Sequence, residues 1–263
     1  MAEKHSEKAL ESVRLSRRSL LITSAWLGLA ITLGGKSAAY ASSASLVSAG
    51  KQLNAWVHVA DDDTITLFSP ASEMGQGVKT SIPLIIAEEM DADWSKVHIL
   101  HAPSDPKSFG NPGLGGEQAT GASLATRAYF QPMRLIGAQA RIAILAAAAE
   151  LLKAPLTELI TASSVVVHPS SGRSISFGEV ARLGSFPEQI RSAVESDLKD
   201  PSQWRYLGKS TPRVDIPAKV TGSAEFGIDV QLPHMLYGVI ARPQVQGETV
   251  LSYDDGEARL HKG

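Results

Sequence analysis

Polar and apolar residues alternate in Trp56-Val57-His58-Val59 and again in Thr64-Ile65-Thr66-Leu67. That period of two predicts two strands. Ala60-Asp61-Asp62-Asp63 between them has the composition of a turn, so the pair reads as a hairpin. A Gly75-Gln76-Gly77 turn then precedes a helical pattern from about Thr80 to Met90. Proline is tolerated only in the first helical turn, and Pro83 therefore places the helix start near Ser81. Val97-His98-Ile99-Leu100 predicts a third strand. Residues 102–122 are rich in Gly, Pro, Ser and Asn and predict a long loop, a feature that is usually functional inside a compact domain.

The longest helical pattern runs from Ser123 to Lys153. Its second half is almost entirely Ala, Leu, Ile and Arg, all strong helix formers. With few polar residues on any face, it reads as a helix packed between layers. Pro132 predicts a kink or the end of a first segment. Val165-Val166-Val167 and Ser174-Ile175-Ser176 predict a small hairpin about Ser170-Ser171-Gly172. Ser176-Phe177-Gly178-Glu179 has capping-box spacing for a short helix to about Leu183. Residues 184–204 are polar with two prolines and read as a linker. Beyond them, Ala224-Glu225-Phe226 and Leu236-Tyr237-Gly238-Val239-Ile240 are strand-like. No internal repeat is present, and the mixture predicts an α+β fold in two pieces.

The first forty residues follow a different pattern. A polar start with Lys4, Lys8 and Arg14 leads to Ser16-Arg17-Arg18-Ser19-Leu20-Leu21, then a mild apolar run from Ile22 to Leu33, then Ala39-Tyr40-Ala41. The run is shorter than the roughly 20 apolar residues of a spanning helix. Charge, short apolar stretch and small-residue exit predict a secretory signal over residues 1–41, and the paired arginines mark the twin-arginine route. The predicted location is periplasmic. Twin-arginine substrates cross already folded, many of them carrying a cofactor inserted beforehand.

Composition narrows the chemistry. The chain of 263 residues has 43% hydrophobic and 20% charged residues, which excludes wholesale disorder. Its net charge is −2, and residues 42–263 alone carry 19 basic and 24 acidic residues, so nucleic acid is not an expected partner. Cysteine is absent, which excludes disulfides, thiol nucleophiles and any iron–sulfur cluster held by this chain. Signatures of the form GxSxG, GxGxxG and the phosphate-loop Gly-x4-Gly-Lys are missing. His98 and His101, with Asp105 nearby, fall on opposite faces of a strand, and no metal ligand set is assigned. Glu88, Glu89, Asp91 and Asp93 crowd a helix end and read as a solvated acidic turn.

Two glycine-rich stretches remain. In Glu73-Met74-Gly75-Gln76-Gly77, two glycines permit close backbone approach and a glutamine offers both a donor and an acceptor. Gly115-Gly116-Glu117-Gln118-Ala119-Thr120-Gly121-Ala122-Ser123 opens the long helix, where free amides with Thr and Ser hydroxyls suit a phosphate. Taken singly, a turn and an N-cap explain them. Together they predict a pocket for a phosphate-bearing polar cofactor.

Glu73-Met74-Gly75-Gln76-Gly77 with Ala87-Glu88-Glu89 downstream resembles the molybdenum-hydroxylase family, the relatives of xanthine oxidase and aldehyde oxidoreductase. Phe109-Gly110-Asn111-Pro112, Gly116-Glu117-Gln118-Ala119-Thr120-Gly121 and Gly137-Ala138-Gln139-Ala140-Arg141 narrow the likeness to the large, exported subunit of isoquinoline 1-oxidoreductase-type enzymes. Leu207-Gly208-Lys209, Pro212-Arg213-Val214-Asp215, Lys219-Val220-Thr221-Gly222 and Leu232-Pro233-His234-Met235-Leu236-Tyr237-Gly238 resemble the start of that family's hammerhead domain. The likeness covers about residues 50–255.

The resemblance implies a molybdopterin-binding α/β domain over residues 42–183, a linker over 184–204 and an incomplete α/β hammerhead domain over 205–263. It implies molybdenum on a molybdopterin cytosine dinucleotide, with Gly75, Gln76 and Gly77 near the metal and pterin and Thr120, Gly121 and Ser123 holding the pterin or its phosphate. In that family an electron-poor carbon is hydroxylated with a glutamate as general base, and electrons leave through iron–sulfur clusters. A small [2Fe-2S] subunit is then the expected partner, with a cytochrome c as a further acceptor. Substrates would be aldehydes or N-heterocycles. Family members continue well past the hammerhead into the part that carries the catalytic glutamate, so the chain reads as the N-terminal portion of such a subunit and no catalytic residue is assigned. A non-catalytic assembly module and a periplasmic solute-binding protein are the alternatives.

Overall fold

The computed structural model describes residues 48–187 and 189–261, and the expected export signal lies outside the described residues. Four strands, β1 (Gly50–Asn54), β2 (Val57–Ala60), β3 (Ile65–Ser69) and β4 (Val97–His101), form one sheet in chain order. The expected β2–β3 hairpin is present, with Val57 opposite Leu67 and Val59 opposite Ile65. β4 pairs parallel with β3, from Ile65 opposite Val97 to Ser69 opposite His101. Parallel neighbours need a crossover, and helix α1 (Val78–Glu89) supplies it. β2 and β3 are buried along their whole length, including the polar positions His58 and Thr66. Both faces of this hairpin are therefore covered.

α1 begins at Val78, not at Ser81, and Pro83 sits in its second turn. The start lies further upstream because the Glu73 carboxylate caps it, accepting the amide of Lys79 at 3.0 Å. The long loop after β4 holds two short turns, α2 (Pro106–Phe109) and a 3-10 turn at Pro112–Leu114. Tyr129 ties this loop to the core, its hydroxyl donating to the Phe109 carbonyl at 2.6 Å. Burial pushes that phenol up to about 12.

Helix α3 (Ala125–Leu152) runs through Pro132 as one helix, so Pro132 does not mark the end of a first, separate segment. Among the described residues it is the one helix long and apolar enough to cross a membrane. Here its apolar positions lie against α1 and a second sheet. A Cβ at Gly137 would stand 2.5 Å from the Ile86 carbonyl oxygen, so only glycine lets α3 approach α1 this closely. The second sheet comprises β5 (Ile160–Ala162), β6 (Val165–His168) and β7 (Arg173–Ser176), all antiparallel. Helix α4 (Phe177–Leu183) follows with the expected Ser176–Glu179 capping box and packs on β1 and β2.

The acidic stretch at the C-terminal end of α1 is the largest departure from expectation. Glu88 and Glu89 are fully buried. Burial alone would raise the Glu88 carboxyl, but Lys199 and the amides of Tyr206, Arg205 and Leu207 outweigh it and hold it below the usual range. Lys199 Nζ donates to Glu88 Oε1 and to Asp91 Oδ1, each at 2.8 Å. Arg134 of α3 donates to Glu89 at 2.6 Å and to the Lys199 carbonyl at 2.7 Å. The Lys199 amide closes on Glu89 at 2.9 Å. Residues 199–215 thus form a strap over α1, and its first half replaces water around the two carboxylates.

The strap ends in α5 (Ile216–Thr221). Among the described residues beyond it are a 3-10 turn at Gly227–Asp229 and helix α6 (Gly256–Leu260), with no strand. The strand-like stretches at 224–226 and 236–240 do not pair, because no ladder partner lies beside them. Ile228 and Val239 are 94% and 100% exposed.

Candidate functional site

The parallel pair β3–β4 ends where ligands of open α/β sheets bind, at the carboxyl edge of the strands. A cleft of about 380 Å³ opens there, lined by Ser69 at the end of β3 with Ala71 and Ser72 beyond it, and by His101 at the end of β4 with Ser104 beyond it. Gln118 and Thr120 of the glycine-rich loop close its side. The cleft is lined mainly by polar groups, and its size suits part of a cofactor rather than a whole dinucleotide.

Ser72 joins the two glycine-rich stretches. Its amide donates to Thr120 Oγ1 at 3.0 Å, and its carbonyl accepts from Gln76 Nε2 at 2.9 Å. Two side chains far apart in sequence thereby meet at one backbone unit. Gln118 holds the loop in place, accepting the Asp105 amide and donating to the Pro103 carbonyl, both at 2.9 Å.

The turn itself is internally satisfied. Gly75 has φ +108° and Gly77 φ +86°, backbone conformations that side-chain-bearing residues rarely adopt. Glu73 Oε1 accepts their amides at 2.8 and 3.0 Å. Burial raises the Glu73 carboxyl, but the amides of Gly77, Lys79 and Gly75 together hold it below its ordinary value. Gln76 Oε1 accepts from the Met74 amide at 2.6 Å. Gln76 Nε2 keeps a second hydrogen beyond the one given to Ser72. The glycines thus offer a ligand close approach, not free amides. The space outside Gly75 is open, with nothing within 4 Å of a Cβ there.

The start of α3 is the reverse case. Its cap position, Leu124, makes no side-chain cap bond, and the helix begins at Ala125, two residues after Ser123. Ala122 and Ser123 have φ +51° and +53°, a left-handed geometry that costs non-glycine residues roughly 1–2 kcal/mol each. Gly121 beside them faces open space. An uncapped, exposed helix start is an electropositive edge. An anion therefore finds free donors at α3 and a carboxylate already seated at α1.

Two further groups line the cleft: Ser69, which the sequence did not single out, and His101, which it weighed only as a metal ligand with His98 and Asp105. Ser69 Oγ is buried at the floor of the cleft and has no hydrogen-bond partner among the described residues. An unpaired buried hydroxyl costs about 1–3 kcal/mol, which a ligand acceptor or donor would recover. His101 is pushed below its ordinary value by burial and by Lys79, against the opposing pull of Glu73. It presents a neutral imidazole near pH 7. Nothing in the local sequence sets the two side by side, since only the parallel pairing of β3 and β4 puts Ser69 opposite His101. Polar floor, open glycine flank and uncapped α3 fit a polar, phosphate-bearing group. Among the described residues, no cluster of three or more His, Asp or Glu side chains suited to holding a metal ion occurs.

Comparisons with known proteins follow the same motifs. Residues 6–224 match the model of the molybdopterin cofactor-binding domain. The chain is 35% identical over 96% of its length to the beta subunit of isoquinoline 1-oxidoreductase from Brevundimonas diminuta, covering 36% of that protein. It is 35% identical over 96% of its length to a membrane-bound aldehyde dehydrogenase (pyrroloquinoline-quinone) of Gluconacetobacter polyoxogenes, covering 33% of it. A 33% identity over 75% of the chain links it to a nicotinate dehydrogenase subunit of Pseudomonas putida, of which it covers 16%. The chain thus spans about a third of the first two relatives and less of the other. With its two glycine-rich stretches meeting at Ser72 and the match running through both, the chain belongs to the molybdopterin cofactor-binding domain family.

Proposed function

We propose that this chain is the N-terminal portion of the large molybdopterin-binding subunit of a molybdenum hydroxylase that oxidises aldehydes or N-heterocycles. The observation that carries the reading is the double use of Ser72, which lines the polar cleft together with Thr120 and ties the Gly75-Gln76-Gly77 turn to that edge through Gln76. The cofactor is a molybdopterin, in the cytosine dinucleotide form. Bound, it supplies two-electron oxidation of an electron-poor carbon.

The chain's own residues act by holding it. Gly75 and Gly77 admit the cofactor ring system close to the backbone, and Gln76 Nε2 donates its remaining hydrogen. Thr120, Gly121 and Ser123 hold the phosphates at the uncapped start of α3. Ser69 Oγ and neutral His101 bind polar edges of the group lying in the cleft. The catalytic base belongs to a part of the subunit outside residues 1–263. Without cysteine, the electrons leave through a small [2Fe-2S] subunit, with a cytochrome c as a further acceptor. Export follows the twin-arginine route to the periplasm. Residues 42–183 form the cofactor domain, 184–204 the linker and 205–263 the beginning of the hammerhead.

The test is co-expression of the full chain with its iron–sulfur subunit in a host that makes the cofactor, followed by metal analysis and pterin fluorescence. Molybdenum and pterin in equal amounts are expected. Finding a quinone in their place, or neither, would sink the reading. Replacing Arg17 and Arg18 by lysine should abolish periplasmic accumulation.

A further inference from the structure

The Gly75–Gly77 turn is gripped by a residue far from it in sequence. Arg213, on the strap, donates through Nη1 to the Gly75 carbonyl at 2.7 Å and through Nη2 to Glu73 Oε1 at 3.1 Å. Its guanidinium carbon lies 4.0 Å from where a Cβ of Gly77 would be, so its plane lies beside the turn. Asp215 fixes the fork from behind, accepting from Arg213 Nε at 2.9 Å and Nη2 at 2.6 Å, and Lys219 Nζ closes on the same carboxylate at 2.6 Å. One residue along, the Val214 amide donates to Thr80 Oγ1 at 3.0 Å in the first turn of α1.

We propose that Arg213 is a positioning residue that sets the shape of the Gly75-Gln76-Gly77 turn, so that docking of the strap and cofactor retention by the turn are coupled. This rests on the reading of the turn as a cofactor contact. Two glycines in three residues give the turn many alternative conformations. Glu73 alone cannot choose among them, because it gathers the Gly75 and Gly77 amides but leaves the Gly75 carbonyl free to rotate outward. Arg213 ties that carbonyl to the same carboxylate and closes the ring. The fork is required: a lysine is a point donor and cannot bind Gly75, Glu73 and the two Asp215 oxygens together. Arg213 leaves the outer side of the turn clear, since nothing lies within 4 Å of a Cβ at Gly75. It therefore orders the turn without occupying the ligand's space.

Hydrogen exchange on the full chain with its iron–sulfur subunit tests this directly. The variants are Arg213→Met and Arg213→Lys, with Arg259→Met as a control that breaks an exposed ion pair to Asp255. In Arg213→Met the amides of Gly75, Gly77 and Lys79 should exchange at least tenfold faster. Arg213→Lys should be intermediate, and residues 138–152 of α3 and the control should not change. Pterin retained per chain after gel filtration should fall several-fold in Arg213→Met. Unchanged exchange at residues 75–79 overturns the proposal. Acceleration spread equally over α3 also overturns it, because Arg213 would then be a general folding residue. A loosened turn with undiminished pterin removes the coupling. If the wild type itself holds no pterin, the cofactor reading fails, and the exchange comparison still decides the clamp.

Discussion

The strap crosses both ends of α1, and at each end a glutamate gathers backbone amides with a cation alongside. At the C-terminal end, Glu88 takes the amides of Arg205, Tyr206 and Leu207 and the Lys199 ammonium, and it is fully buried. At the N-terminal end, Glu73 takes the amides of Gly75, Gly77 and Lys79 and the Arg213 guanidinium; its own side chain is 8% exposed, but that of Arg213 is 32% exposed. The same chemistry gives opposite results. A buried charge pair cannot be half broken, since either partner alone is left in a low-dielectric interior. At the N-terminal end water reaches the Arg213 side of the pair, and the Glu73 carboxylate keeps its three amides when that partner is lost, so the contact steers local shape more than global stability. One end is an anchor and the other an adjustable grip next to the cleft.

The sharpest way to break this contrast is Glu88→Ala. It takes one of two carboxylates from the buried Lys199 and the acceptor from three amides, and a loss of about 3 kcal/mol in urea denaturation is expected. A loss under about 1 kcal/mol would mean that the two ends are alike. Gly137→Ala should follow, costing about 1–3 kcal/mol by pushing a methyl into the Ile86 carbonyl. Because α1 carries both ends of the strap, this variant should loosen the Gly75–Gly77 amides as well as the core, whereas Arg213→Met should loosen the turn alone.

Acidification gives the smallest effect. The Glu73 carboxyl is held below its ordinary value. Its contribution is therefore complete above the ordinary carboxylate value of about 4.3 and fades as the pH falls through the lower folded-state value. The amide shifts of Gly75 and Gly77 should titrate with a midpoint under about 4.3. A midpoint above it would show that the amides do not hold the carboxylate.

Local rules were legible in the chain. The β2–β3 and β6–β7 hairpins and the Ser176–Glu179 capping box depend on neighbours a few residues apart, and they form as expected. What depends on distant partners was not legible. Glu88 and Glu89 resemble a wet acidic turn until Lys199, 111 positions from Glu88, is placed beside them. Pro83 misplaces the helix start because Glu73 caps α1 from outside it. Of the site, both glycine-rich stretches could be read from composition, but Ser69 and His101 depend on the parallel register of β3 and β4. The apolar stretches 224–226 and 236–240 look like strands by pattern, yet a strand also needs a partner edge.

The buried end of the strap also sets an order for the growing chain. Until residues 199–207 leave the ribosome, Glu88 and Glu89 have neither their lysine nor their backbone amides, and the seat between α1 and α3 must stay hydrated. The α1–α3 layer can collapse early but cannot dry out until the strap arrives, so the last step in closing the core belongs to residues that follow it in the sequence. The turn beside the cleft is fastened later still, when Arg213 emerges.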